Sequence, residues 1–176
     1  LYIESGGFEV WGSELHASVN QRFAAGDLYL SLGGALYAFD VPSGYLEDVD
    51  MDAHGADVGG SMYIGDSGQV DVVRGGFTGV SGTRPWAGGA IAVEGGAITV
   101  TESVFDGVAT FPGPDDTTDG DYSLGGGIYL LGSDLEMVDV TFDGPADSSE
   151  TEAQGPQIGG VVAATQDGEG NGSSVQ

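Results

Sequence analysis

Apolar residues in this chain recur at alternate positions after a glycine pair, and the pairing returns from one end of the sequence to the other. The instances are Ser5-Gly6-Gly7-Phe8, Gly33-Gly34-Ala35-Leu36, Gly59-Gly60-Ser61-Met62, Gly88-Gly89-Ala90-Ile91, Gly125-Gly126-Gly127-Ile128 and Gly159-Gly160-Val161-Val162. A second apolar set lies downstream, with Val70, Val72 and Phe77, then Ile98, Val100 and Phe105, then Leu135, Met137 and Phe142. Leu46, Val49 and Met51 match it more loosely. Period two means strands, and no window carries the i, i+3, i+4 spacing of an amphipathic helix. A unit of this length cannot bury its own apolar face, so successive repeats must stack.

The economical arrangement climbs about 4.8 Å per repeat and brings equivalent strands into parallel register. The expected fold is all-β: a right-handed parallel β-helix, or solenoid, of about six coils with two inserted surface loops. Two inward columns are predicted, one of Phe8, Leu36, Met62, Ile91, Ile128 and Val162, the other of Met51, Phe77, Phe105 and Phe142. The inserted loops are expected at 108–124 and 145–157, and the β-helix domain spans 1–164. Residues 165–176, rich in Gly, Ser and acids, read as a flexible tail or linker.

The Gly-Gly-Ala-Ile run at 88–91 and the Gly-Gly-Gly-Ile run at 125–128, each followed by Phe at 105 and 142, resemble the polymorphic outer-membrane-protein repeat. That repeat joins a GGAI-like tetrapeptide to an FxxN-like one. Phe105-Asp106-Gly107-Val108 and Phe142-Asp143-Gly144-Pro145 lack the asparagine. The resemblance covers most of 33–144 and implies a right-handed β-helix in a surface-exposed, often adhesive protein.

Composition narrows the partners. The chain has 28 Asp plus Glu against three cationic side chains, giving a net charge of -25. The cations are Arg22, Arg74 and Arg84, without a single Lys. Nucleic acid is excluded as a partner, because a phosphate backbone needs a basic stripe. Anionic membrane surfaces are disfavoured for the same reason, and no apolar run is long enough to insert in a bilayer. Such acidity suits a surface that stays hydrated and soluble at high ionic strength, as in a halophilic or marine source, and equally an ordinary acidic secreted protein. The resemblance above implies an extracellular or cell-surface location. The absence of Cys removes thiol chemistry and disulfides. The chain opens at Leu1 without a charged leader, so any signal peptide is expected to be already removed or to lie outside it. Thirty-four glycines fit a fold with many side-chain-free corners.

Candidate chemistry is sparse. Tyr37, Tyr63 and Tyr129 fall between the buried positions after the glycine pairs and are predicted to form an outward column, interrupted by Ala92, facing a ligand or partner. Asp115, Asp119 and Asp121 alternate before and after Gly120 like the start of a Ca²⁺ loop, and Asp167, Glu169 and Asn171 do so less completely. Neither has the distal bidentate Glu. The outward acids Asp71 and Glu136, or Asp106 and Asp143, offer the carboxylate spacing of a glycoside hydrolase. A charged, solvated face explains them equally. His16 and His54 lack a nucleophile or a spaced metal partner, and Asn171-Gly172-Ser173 fits a glycosylation sequon.

The expected function is that of a non-catalytic structural or adhesive cell-surface module. Its partner would be a cell-surface glycan or protein, or another copy of the chain. Two alternatives stay open: a carbohydrate-binding or polysaccharide-cleaving β-helix, and the protomer of an end-to-end filament.

Overall fold

The computed structural model describes residues 1–16, 21–25, 28–53, 56–79, 87–108, 110, 123–145, 157–158, 162–166 and 172–176. In chain order the strands are β1 (Tyr2–Glu4), β2 (Phe8–Leu15), β3 (Gln21–Ala25), β4 (Leu28–Leu32), β5 (Leu36–Phe39) and β6 (Ser43–Ala53). There follow β7 (Met62–Gly65), β8 (Gln69–Val73), β9 (Gly76–Gly79), β10 (Ile91–Thr101), β11 (Val104–Gly107) and β12 (Ser123–Leu124). The last are β13 (Ile128–Val138), β14 (Thr141–Pro145), β15 (Gln157–Ile158), β16 (Val162–Thr165) and β17 (Ser174–Val175). The described residues hold no helix, and every pairing but one is parallel. The exception is the β3–β4 hairpin.

Three ladders emerge from the register. In the first, Tyr2 stands against Tyr37, and Leu36, Met62, Ile91, Ile128 and Val162 follow one another. In the second, Val10, Leu46, Val72, Val100 and Met137 align. In the third, Leu15, Met51, Phe77, Phe105 and Phe142 do so. Leu36, Met62, Ile91, Ile128, Leu46, Val72, Met51, Phe77 and Phe105 are buried in one apolar cluster fed by all three. Both predicted inward columns therefore exist, with one correction. Phe8 is not below Leu36 but pairs with Gly44 in the second ladder. Ser5-Gly6-Gly7 belongs to a different corner from the later glycine pairs, because Tyr2, not Phe8, opens the first ladder.

The corners explain the glycines. Gly33, Gly59, Gly88 and Gly125 all have φ near +60°. A Cβ on any of them would lie 2.0–2.2 Å from the carbonyl oxygen of the residue three places on. Only glycine fits there. Two further columns share the left-handed conformation without that crowding. One runs Ser5, Asp40, Asp66, Gly95 and Gly132, the other Gly12, Asp48, Arg74, Glu102 and Asp139. Most of these are polar or short side chains, the types that visit left-handed space at least cost.

These corner amides donate to the following repeat. Gly33 N–H bonds Val58 O, Asp40 bonds Gly65 O, Asp66 bonds Glu94 O, Arg74 bonds Thr101 O and Glu102 bonds Val138 O, at 2.8–3.0 Å. Serines reinforce the bends. Ser133 Oγ accepts from Gly95 N–H at 2.9 Å and donates to Leu131 O, and Ser103 Oγ accepts from Gly75 N–H at 2.9 Å.

The inserts and termini depart in part from expectation. Within the 108–124 insert, Val108 packs on the core and Thr110 is buried. Its end, β12, pairs in parallel with β15 at the end of the second insert. Residues 174–176 do not trail away: β17 continues the second ladder beside Asp134 and Leu135, and Gln176 exchanges backbone bonds with Leu135 and Met137. No helix among the described residues is long and apolar enough to cross a membrane.

Candidate functional site

The tyrosine column is in register as predicted, with Tyr37 beside Tyr63, then Ala92, Tyr129 and Ala163. Tyr2 extends it at the other end, stacked on Tyr37 with centroids 5.0 Å apart, and Tyr37 stacks on Tyr63 at 5.4 Å. These rings do not face solvent. Tyr37, Tyr63 and Tyr129 are only 6 %, 5 % and 8 % exposed and pack with Val58, Ala87, Ala92 and Ala163 in a second apolar cluster outside the main core. The cause is a short fourth column, Leu32, Val58 and Ala87, bridged in parallel just before each glycine pair. It gives the outward rings something to cover, so the expectation of an open aromatic face here is corrected.

Glu94 turns this cluster polar at one point. Tyr63 donates its hydroxyl to Glu94 Oε2 at 2.8 Å. The neighbour of Glu94 in register is Gly65, where a Cβ would sit 2.8 Å from both the Tyr63 and Phe39 rings. A side chain there would collide with both rings, so the bare position is what lets them pack beside Glu94. Burial pushes the Glu94 carboxyl above the usual range, and the nearby Asp66 charge adds to it, while the Tyr63 bond opposes. Burial also raises the Tyr63 phenol, aided by the Glu94 charge.

Two polar clasps tie β2, β6 and β8 together. The Arg74 guanidinium donates to Asp48 Oδ1 at 2.7 Å and Oδ2 at 3.0 Å, and also pairs with Glu47. The bond from Arg74 holds the Asp48 carboxyl below its ordinary value. His16 sits between Asp52, 2.8 Å from Nδ1, and Glu14, 3.2 Å from Nε2. Asp52 foremost, then Glu14, raises its pKa. Because the two carboxylates lie off opposite ring nitrogens, this is a bridge, not a chelate. No group of three or more His, Cys, Asp or Glu able to hold a metal occurs among the described residues. Asp115, Asp119 and Asp121 lie outside them, as do His54, Arg84, Asp167, Glu169 and Asn171.

The outer face of the second ladder carries the remaining polar chemistry. Glu9, Tyr45, Asp71, Thr99 and Glu136 form one row, so Asp71 and Glu136 are separated by Thr99. Asp106 and Asp143 are immediate neighbours on the third ladder. One feature on this outer face has no counterpart in the repeat: Trp11, 55 % exposed, meets Tyr45 diagonally across β2 and β6 with centroids 4.9 Å apart and a 45° tilt. Tyr45 is held in turn by donating to Glu47 Oε2 at 2.9 Å. Gln69 Nε2 donates to Asp71 Oδ1 and Thr99 Oγ1 at 2.8 and 2.9 Å. The only sequence signal for this pair was the alternation Phe8, Val10 inward and Glu9, Trp11 outward.

No family model, no curated protein and no solved structure matches the chain.

Proposed function

We propose that the three ladders wind into a right-handed parallel β-helix of about six coils, and that this β-helix is a non-catalytic structural or adhesive module of an extracellular, cell-surface protein. The observation that carries the reading is the register itself. Inward columns persist from Leu36 to Val162 and from Leu15 to Phe142, while the outward positions of the second and third ladders are mostly acidic or polar. A fold of this kind spends its sequence on rigidity and on a repeated outer surface. The net charge of -25 supports a hydrated surface that resists non-specific association. The resemblance of the Gly-Gly-Ala-Ile and Phe motifs to a surface-protein repeat points the same way.

Antibodies raised against the chain provide the test. Labelling of intact, unpermeabilised cells of the source, lost after brief protease treatment, is the expected result. Labelling that appears only after permeabilisation overturns the surface assignment. The stacking of coils is tested by Thr78→Cys with Asp106→Cys: these are register neighbours in a chain without native cysteine, so a short bifunctional thiol cross-linker should join them. Failure to cross-link overturns it.

A further inference from the structure

Trp11 is a large aromatic side chain left open at one end of an outer row that continues through Glu47, Val73, Thr101 and Val138, beside a row of Glu9, Tyr45, Asp71, Thr99 and Glu136. Its strand β2 is fixed from below by Phe8, Val10 and Leu15, which pack on the core, so the indole stands on a rigid base. Its direction is set by contact with Tyr45, whose hydroxyl is anchored to Glu47. Polar groups around the two rings are likewise held in place. Glu9 and Asp71 flank Tyr45 in register, Gln69 is oriented by Asp71, and Arg74 is fixed by Glu47 and Asp48.

We propose that Trp11 and Tyr45 form a stacking platform for the pyranose rings of a neutral glycan. This deepens, and rests on, the reading of the chain as a surface module. A sugar presents an apolar C–H face bordered by hydroxyls that both donate and accept. The site answers with an aromatic face bordered by carboxylate acceptors at Glu9 and Asp71 and, beyond Glu47, by the guanidinium of Arg74. Polar groups already tied to one another lose little freedom when a ligand arrives. Charge decides among occupants. A polyanionic glycan meets a chain of net charge -25 without lysine, and a second copy meets the same repulsion, whereas a neutral glycan meets neither.

The test is affinity electrophoresis of the full chain in gels containing soluble mixed-linkage β-glucan, galactomannan or dextran, with pectate as the polyanionic control. Retardation by at least one neutral polysaccharide and none by pectate is expected. Trp11→Ala should weaken that binding by about tenfold or more, and Tyr45→Phe should keep most of it. The chain has two tryptophans, so in Trp86→Phe all indole emission comes from Trp11 and should shift on adding the polysaccharide that binds. This reports on the platform even if Trp11→Ala folds poorly.

Three results overturn the proposal: no retardation by any neutral polysaccharide, retardation that Trp11→Ala leaves intact with Trp11 emission unmoved, or loss in Trp11→Ala of concentration-dependent sedimentation alone. The last would make the face a protein contact. Surface labelling without retardation removes the platform and leaves the surface reading standing. Retardation without surface labelling does the reverse.

Discussion

At the scale of single residues, two positions in this structure sit at a loss. Ser61 is fully buried, and its hydroxyl has no hydrogen-bond partner. Its neighbours in the same column are Ala35 and Ala90, so alanine is already known to fit. Removing an unsatisfied buried hydroxyl is favourable, and Ser61→Ala is expected to stabilise the chain by about 1 kcal/mol, measured as a higher urea midpoint with an unchanged slope. Glu94 is the second. Its carboxyl titrates above the ordinary range in the folded chain, so the folded state holds the proton more tightly than the unfolded one. The penalty for the charge is therefore full at neutral pH, and it fades as pH falls through the raised value toward the unfolded one. Glu94→Gln keeps an acceptor for Tyr63 and drops the charge. It should raise the melting temperature at pH 7, with the advantage shrinking in acid; a gap that widens in acid would contradict this.

Among elements, the corners and the aromatic stack matter most. Gly88 combines φ +61° with a Cβ position 2.1 Å from Ile91 O. Gly88→Ala is expected to cost at least about 2 kcal/mol, read from the urea midpoint. Phe105 is fully buried between Phe77 and Phe142, with centroids 4.6 Å away on both sides. Phe105→Ala removes both contacts and should cost about 3–5 kcal/mol, again by urea unfolding.

Elements also show where sequence reading succeeds. The pairs at 33, 59, 88 and 125 could be aligned because steric exclusion leaves glycine as their only occupant. The Phe column was visible because burial tolerates few residue types. Ser5-Gly6-Gly7 misled because left-handed bends recur at three places per repeat, and a glycine pair does not say which one it occupies. The burial of Tyr37, Tyr63 and Tyr129 was foreshadowed by Leu32, Val58 and Ala87, each an apolar residue directly before a glycine pair. Period two separates in from out, but not open from covered. The β3–β4 hairpin had no repeat to betray it, and Trp11–Tyr45 is a diagonal contact that depends on registering β2 with β6.

For the whole molecule, charge dominates. Aspartates and glutamates meet in register, as at Asp106 and Asp143, or in adjacent left-handed corners, as at Glu102 and Asp139. Arg74 relieves one such place by binding Glu47 and Asp48. Beside Asp106 and Asp143, and beside Glu102 and Asp139, dissolved cations must do so. The Debye length shrinks from about 30 Å at 0.01 M salt to about 3 Å at 1 M, so the melting temperature should climb steeply with NaCl over that range and then level off. A flat or falling response would show that the acidic columns do not repel one another appreciably.

The corner amides named above share one direction. Gly33, Asp40, Asp66, Arg74 and Glu102 each bond to a carbonyl that lies later in the chain. Each turn therefore keeps donors at its bends that only the succeeding turn can satisfy, so a chain cut short after any of these corners would leave those amides to water.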